Sequence, residues 1–220
     1  MRIRRNYVPW TFETQTETRF VVFPDGCRDL IVVSPAGGPQ EVFLTEWDSR
    51  PRTVLLGAGT TITGWRLRPG LIFDPRYAGS ISPDIDELAQ AIDEAASVDR
   101  EIQMVIDALA APQATVGAVA RLAGVTKRTL QRRFAGASLP VPDFWRLLGR
   151  ARRAARSLSH GLSVSDAAYA GGYSDQAHMT RDFARWFGTS PGRLRRDPVL
   201  ANTLLQPGLG NWTGEQISIR

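Results

Sequence analysis

Arg, Lys, Gln, Ser, Thr and His side chains concentrate in two short segments of the C-terminal half. The first segment carries Thr126, Lys127, Arg128, Gln131 and Arg132, and the second carries Ser174, Gln176, His178, Thr180 and Arg181. An Arg side chain can bond both acceptors of guanine, and Gln can pair with the donor and acceptor of adenine. Both sets therefore indicate contacts with double-stranded DNA, although any single Arg suits a phosphate or a solvated face equally well.

The helices that must position these side chains are indicated by a sequence pattern that occurs twice. The copies are Ala120-x3-Gly124-x5-Leu130-x3-Phe134 and Ala168-x3-Gly172-x6-Met179-x3-Phe183, with equivalent Ala and Gly residues 48 positions apart. A small residue allows two helices to approach closely, and Gly permits the positive φ of a tight turn between them. The repeat predicts two helix-turn-helix units.

In such a unit the second helix enters the major groove with its outward N-terminal residues. Leu130 and Phe134 must then face inward, as must Met179 and Phe183 in the second copy. We assign a further group of Arg residues to DNA-backbone or surface roles: Arg133, Arg150, Arg153, Arg195 and Arg196. Because Ala177 lies in the second exposed set, we expect the first unit to carry more of the sequence preference.

Capping residues predict where the C-terminal helices begin. The predicted caps are Thr115, Thr126, Asp143, Ser163 and Ser174, and a short helix is expected over 192–196. The helix after Asp143 is the longest and has one apolar face. It connects the two units and ends at His160-Gly161.

Residues 113–196 resemble the DNA-binding domain of the AraC/XylS family of bacterial transcription regulators. The resemblance rests on residues 116–134, on residues 163–183 and on the closing segment Phe187-Gly-Thr-Ser-Pro191. It implies two helix-turn-helix units on one connecting helix, entering successive major-groove segments about 34 Å apart. The chain departs from the family at Ser138, where Gly is usual.

Charge divides the chain in the same way. Residues 1–112 carry a net charge of −5, residues 113–196 a net charge of +11 and residues 197–220 a net charge of −1. A basic module beside an acidic one places the expected polyanion contact in the second half.

Composition argues against several other classes of protein. The chain has one Cys and two His, and no His lies before residue 113, so a metal centre, a zinc-dependent repair activity and any cofactor are not expected. No signal peptide or membrane-spanning run is recognisable. A cytoplasmic protein of the bacterial nucleoid, without enzymatic activity, is the expectation.

The first 75 residues predict short strands separated by Gly and Pro. The predicted strands cover residues 19–23, 30–33, 41–45, 52–56 and 61–67. The fold class is therefore α+β: an N-terminal antiparallel sandwich or roll over 1–80, a helical linker over 81–112, the double helix-turn-helix domain over 113–196 and a tail over 197–220. The resemblance implies that the first domain is a reduced cupin-like regulatory domain.

Polar residues of this first domain are candidates for a ligand pocket. They are Asp25, Arg28, Asp29, Trp65, Arg66 and Arg68. The alternative is that Asp25 and Gly26 form a hairpin turn while the Arg residues pair with acids on the surface. Cys27 is expected to be a small core residue.

Two linker helices are predicted from apolar spacing. The first begins near Pro83 and carries Ile85, Leu88, Ile92 and Ala96, and the second carries Ile102, Val105, Ile106 and Leu109. Their stripes either pack on the strand domain or form a dimer seam. Leu200, Leu204, Leu205 and Trp212 are apolar enough to pack as well, with the N-terminal domain as one candidate surface.

The sequence thus predicts a DNA-binding transcription regulator, an activator or a repressor, whose N-terminal half senses a small effector or mediates homodimer formation. RNA polymerase is a candidate partner, and a membrane is not. Two rivals remain open: a small-molecule-binding or cupin-type enzyme with a DNA anchor, and an architectural DNA binder without sequence preference.

Overall fold

A computed structural model describes residues 6–73, 87, 90, 92, 94, 96–97 and 99–213. The strands are β1 (Tyr7–Glu13), β2 (Thr18–Val22), β3 (Arg28–Ser34), β4 (Glu41–Leu44), β5 (Arg52–Leu56), β6 (Thr61–Leu67), β7 (Ile72–Phe73) and β8 (Ala96–Ser97). The helices whose bounds are described are α1 (Arg100–Leu109), α2 (Val116–Leu122), α3 (Lys127–Gly136), α4 (Pro142–Ser159), α5 (Val164–Gly171), α6 (Gln176–Phe187), α7 (Pro191–Arg196) and α8 (Pro198–Leu204). The predicted α+β order is confirmed.

The N-terminal half is built from antiparallel strand pairs. Strands β1, β6, β3 and β4 form a four-stranded sheet in that order, while β2 pairs with β5 and β7 pairs with β8. Leu30, Trp65 and Leu67 form the centre of the sheet's apolar core. The aromatic rings of Phe12 and Phe20 meet edge to face at 5.8 Å and connect the first two sheets.

Strand β1 is absent from the sequence prediction. It contains Pro9, which cannot donate a ladder hydrogen bond, and such a residue argues against a central strand. In the structure β1 lies at the edge of the sheet and pairs only with β6, with Pro9 opposite Trp65. An edge position tolerates Pro because one side of the strand needs no ladder partner.

The first predicted linker helix falls largely outside the described residues, including Pro83, Ile85 and Leu88. Ile92 is fully buried against the sheet core. The prediction that the helix continues through Ala96 is wrong, because Ala96 pairs with Phe73 in the β7–β8 ladder.

Helix α1 packs mainly on the C-terminal helices. Its stripe from Ile102 to Leu109 is buried in the same apolar cluster as Leu130, Phe134 and Leu148. Neither predicted location, the strand domain or a dimer seam, describes most of this stripe. Contact with the strand half is local: Ile106 lies against Gly70, and Arg68 pairs with Asp107 at 3.4 Å.

Two predicted caps lie one residue or more from the observed ones. Helix α4 begins at Pro142, whose fixed φ and missing N–H suit a first helical position, and Val141 is its N-cap. Asp143 instead accepts a hydrogen bond from Arg146 Nε at 2.7 Å. Helix α6 is capped by Asp175 and not by Ser174, because the Asp175 carboxylate accepts from the His178 N–H at 2.7 Å.

The position of Ser138 keeps the backbone conformation that Gly usually provides. Ser138 has a φ of +54° at the end of α3. The departure from the family pattern therefore changes the residue but not the left-handed conformation of this junction.

The tail joins the two halves. Leu209 N–H donates to the Asp25 carbonyl at 2.7 Å, and a Cβ on Gly26 would lie 2.9 Å from the Leu209 Cβ. Arg152 of α4 is 7% exposed and donates to the carbonyls of Gln206 and Leu209 at 2.8 and 3.1 Å. Residues 207–209, which the sequence did not single out, contact the N-terminal half, whereas Leu204, one of the four predicted packing residues, is buried among the helices.

Candidate nucleic-acid interface

The first helix-turn-helix unit consists of α2 and α3. Thr115 Oγ1 accepts from the Ala118 N–H, and Thr126 Oγ1 accepts from the Thr129 N–H, both at 3.1 Å. Gly124 turns the chain with a φ of +66°. These caps and this turn hold α3 across α2 as the repeated pattern predicts.

Helix α3 has one buried and one exposed face. Leu130 and Phe134 are 1% and 0% exposed, and they contact the apolar core. The other face leaves the first predicted set open to solvent: Thr126, Lys127, Arg128, Gln131 and Arg132. Leu130 and Phe134 therefore face inward as predicted and the predicted readers face outward, whereas their contact with DNA stays a prediction.

The second unit consists of α5 and α6. Ser163 Oγ accepts from the Asp166 N–H at 3.1 Å, and Gly172 turns the chain with a φ of +83°. Met179 and Phe183 are fully buried. Gln176, Thr180 and Arg181 are exposed, together with Ala177.

Ser174 and His178 have partners inside the protein. Ser174 Oγ lies 3.1 Å from His178 Nδ1, and Arg150 Nη2 lies 3.3 Å from His178 Nε2. The His178 ring also meets the Tyr173 ring edge to face at 5.2 Å. His178 therefore helps to hold α6 in place, which leaves Gln176, Thr180 and Arg181 as the more available groups of the second set.

Asp175 places a negative charge at the start of α6. Hydrogen bonds from the His178 N–H and from Ser174 lower the pKa of this exposed carboxyl. The carboxylate is thus already engaged as a cap, and it opposes the approach of a phosphate to this end of the helix.

Helix α4 is attached to the second unit through a partly buried ion pair. Arg150 Nη2 of α4 lies 2.5 Å from Asp182 Oδ2 of α6, and the two side chains are 13% and 15% exposed. The Arg150 guanidinium also lies 4.4 Å from the centre of the Tyr173 ring. The predicted backbone or surface role of Arg150 is therefore wrong, because its cation is used to attach α6 to α4.

Arg153 also has an interior partner. Its Nη1 donates to the Ala110 carbonyl just after α1. Close approach of these elements depends on Gly149, where a Cβ would lie 2.8 Å from the Ala110 Cα. The surface assignment of Arg153 is corrected for this reason, whereas Arg133, Arg195 and Arg196 are exposed as expected.

The six candidate ligand residues of the strand half are largely engaged with one another. Arg66 lies 3.3 Å from both the Asp25 and the Asp29 carboxylates. Although burial opposes its charge, Asp29 and Asp25 raise the pKa of Arg66. Trp65 is 2% exposed in the sheet core. Arg66 is thus paired with acids, as in the alternative left open by the sequence, but these side chains are only 14–18% exposed and do not form a surface pair.

The remaining two candidates, Arg28 and Arg68, also have partners, and the partner of Arg68 is Asp107 at 3.4 Å. Arg28 Nε donates to the Thr45 carbonyl at 2.6 Å, and its guanidinium lies 5.6 Å from the Trp47 ring. Cys27 is buried as predicted, and burial together with Asp25 raises the pKa of its thiol.

A groove of about 840 Å³ lies between α1 and the first helix-turn-helix unit. Val105, Leu122 and Phe134 contribute to its walls, and an Arg133–Glu101 ion pair of 3.1 Å lies on its lining. This space of ligand size lies at the α1 surface, where Ile72 contributes to the lining and the six polar candidates of the strand half do not.

The sequence prediction omitted one exposed residue in the first helix of each unit. Arg121 of α2 is exposed, and so is Tyr169 of α5 at 87%. The two residues are 48 positions apart, like the Ala and Gly residues of the repeat, and this spacing is the signal that could have drawn attention to them.

Within the described ranges, no group of three or more His, Cys, Asp or Glu side chains is arranged to hold a metal ion. A search of the same ranges also finds no helix that is long and apolar enough to cross a membrane.

Comparison with known proteins locates the similarity in the C-terminal half. Residues 119–197 match the family described as a helix-turn-helix domain. The transcriptional regulator GlxA of Rhizobium meliloti is 43% identical over 81 residues, which are 36% of this chain and 25% of that protein. The regulator VirS of Mycobacterium tuberculosis is 41% identical over 86 residues, or 38% of this chain and 24% of that protein.

This chain therefore covers about a quarter of the length of both curated relatives. Among solved structures, an AraC-type regulator from Chromobacterium violaceum superimposes with a TM-score of 0.38 and 24% identity, over 49% of this chain and 91% of that one.

Proposed function

We propose that this chain, whose C-terminal half carries an AraC-type helix-turn-helix domain, is a sequence-specific transcription regulator that reads two adjacent major-groove segments. The observation that carries the proposal is the presentation of two recognition helices, α3 and α6, on the common helix α4. Each helix buries its apolar face and exposes Arg and Gln side chains.

Helix α3 is the principal reader in this proposal. Arg128 and Gln131 supply the two side chains best suited to guanine and adenine, with Arg132 beside them. In α6, Gln176, Thr180 and Arg181 are available, but Ala177 offers no hydrogen bond and Asp175 adds a negative charge.

We propose that the N-terminal half regulates this activity through its contacts with the helical domain. The Asp25 carbonyl is bonded to the tail, and the Trp47 ring meets Trp145 of α4 edge to face at 5.2 Å. A small effector and homodimer formation are the two candidate inputs. The bacterial cytoplasm is the proposed location, RNA polymerase is a candidate partner, and no catalytic step is proposed.

Selection of bound duplexes from a random DNA pool tests this function. The full chain should enrich one motif with two half-sites about 34 Å apart, one helical turn of B-DNA. Recovery of duplexes without a shared motif would instead support a non-specific architectural binder.

Substitution of the base readers then tests the assignment. Arg128→Ala and Gln131→Ala should each reduce the preference for the selected duplex over a shuffled one by about 1–3 kcal/mol. Gln176→Ala and Arg181→Ala should have smaller effects. An equal loss on both duplexes would contradict base reading by α3.

A further inference from the structure

The Lys127 side chain lies across the first turn of α2. A Cβ added to Gly117 would be 2.7 Å from Lys127 Cε and 3.4 Å from Lys127 Nζ. The Cε methylene at the end of the Lys127 side chain therefore occupies space that a side chain at position 117 would contest, with the ammonium group beside it.

Arg121 reaches the same place from one turn further along α2. Its Nη1 atom lies 3.9 Å from the position of that Gly117 Cβ. Both Arg121 and Lys127 are exposed, and the ion pairs of the described residues include neither of them. Two cations thus converge on one spot without a carboxylate to neutralise them, an arrangement that like-charge repulsion disfavours and an anion stabilises.

We propose that Arg121 and Lys127 together form a seat for one backbone phosphate of the bound DNA, next to the base-reading face of α3. This inference rests on the proposed DNA-binding function. It moves Lys127 from the base readers to the groups that position the helix, and it adds Arg121 to the interface. Phosphate contacts of this kind set register and orientation without carrying sequence information.

The second unit has no equivalent seat. The counterpart of Arg121 is Tyr169, 48 residues later, and that of Lys127 is Gln176, three residues before Met179 as Lys127 is three before Leu130. An uncharged ring and a neutral amide cannot provide two cations. The phosphate seat therefore anchors the first unit specifically, which is consistent with α3 as the principal reader.

The salt dependence of binding tests the seat directly. Each neutralised phosphate contributes about 0.9 to the slope of log K against log salt concentration. The full-length variants Arg121→Gln and Lys127→Gln should each lower the magnitude of this slope by up to about 0.9, on both the selected duplex and a shuffled duplex of the same length. Arg19→Gln, which removes an exposed cation from β2, is the matched control and should leave the slope unchanged.

Two results would overturn the proposal. One is a slope for the Arg121 and Lys127 variants that equals the slope of the Arg19 control. The other is a loss of affinity confined to the selected duplex, which would make these residues base readers. If the wild-type protein binds both duplexes equally, the sequence-specific function fails, yet the slopes still decide whether the seat exists.

Gly117→Ala provides a second test with little risk to the fold, because Ala is the better helix former. Its Cβ should displace Lys127 and lower the slope, with thermal stability equal to or above that of the wild type. A wild-type slope in a stably folded Gly117→Ala protein would show that the placement of Lys127 over Gly117 does not matter for phosphate binding.

Discussion

Arg150 of α4 and Asp182 of α6 form a partly buried ion pair, with Nη2 and Oδ2 2.5 Å apart, that attaches the second helix of the second unit to the helix shared by both units. Removal of one partner would leave the other charge buried without compensation. We expect Arg150→Met to lower the free energy of unfolding by about 3 kcal/mol, measured by urea denaturation.

The double variant Arg150→Met/Asp182→Leu is the control for this prediction. Replacement of both charges by apolar groups should recover most of the loss, because no isolated charge remains. If the double variant is as unstable as the single one, the cost does not come from the unpaired Asp182.

Arg152 should hold the tail against the strand half. Its guanidinium donates to Gln206 and Leu209 carbonyls and to Asn211 Oδ1 at 3.0 Å, and burial lowers the pKa of this side chain. Arg152→Met removes all three hydrogen bonds and leaves the Leu209 carbonyl without this donor, while Asn211 Oδ1 and the Gln206 carbonyl keep other donors. We therefore expect a loss of about 2 kcal/mol and faster hydrogen exchange at residues 25–27 and 206–211.

Arg156→Met is the matched variant for the tail, since Arg156 donates to the Gly210 carbonyl at 3.1 Å from an exposed position. It should cost no more than about 0.5 kcal/mol. Similar exchange rates in both variants would argue against a specific role for Arg152.

Asp175→Asn should strengthen DNA binding. Asn caps a helix about as well as Asp, so the structure of α6 should persist while one negative charge near the DNA disappears. The affinity should rise by a similar factor on selected and shuffled duplexes, measured by fluorescence anisotropy. A gain restricted to one sequence would indicate that Asp175 contacts a base.

The low pKa of Asp175 also predicts how the stability of the protein changes at low pH. Because the folded-state pKa of Asp175 lies below its ordinary value of 3.8, its contribution to stability is present above that value and is lost as pH falls through the lower one. Between pH 5 and about pH 2 the melting temperature of the wild type should therefore fall more than that of Asp175→Asn. If the melting temperatures of the two proteins fall equally with pH, Asp175 does not contribute to stability in this way.

The raised pKa of the Cys27 thiol predicts how the stability of the protein changes at high pH. Burial raises the pKa of the thiol well above 9.0, so its contribution to stability is present below that value and is lost as pH rises above it. Wild-type stability should decline more steeply than that of Cys27→Ala from about pH 8.5 upward, measured by urea denaturation at each pH. The thiol should also react slowly with a disulfide reagent until the protein is unfolded.

Ser138 is expected to carry a small strain. Ser138 has a φ of +54°, and this left-handed conformation costs a residue with a Cβ about 1–2 kcal/mol of stability. Gly does not carry that cost, but it makes the unfolded chain more flexible, so the net gain from Gly is smaller. Ser138→Gly should stabilise the protein by up to about 1 kcal/mol, whereas Ser138→Ala should not. Equal stability of the Gly and Ala variants would mean that the backbone relaxes at this site.

The helix-turn-helix units could be predicted because their signals are local. The Ala-x3-Gly spacing, the caps at Thr115, Thr126 and Ser163, and the helical period of Leu130 and Phe134 depend on residues within one or two turns of each other. The charge difference between the acidic N-terminal half and the basic C-terminal half predicted a polyanionic partner without any knowledge of the fold.

The tertiary structure decided which charged groups remain available. Arg128, Arg150 and Arg152 are the same residue type, yet the first is exposed, the second pairs with Asp182 and the third holds the tail. The partners of Arg150 and Arg152 lie 32 and 54 or more residues away, and no local pattern encodes such distances. Amino-acid types and helical periodicity determined that this chain contains two helix-turn-helix units. Packing between distant segments determined which cations remain exposed on them, because a buried charge must find its partner wherever the fold places one.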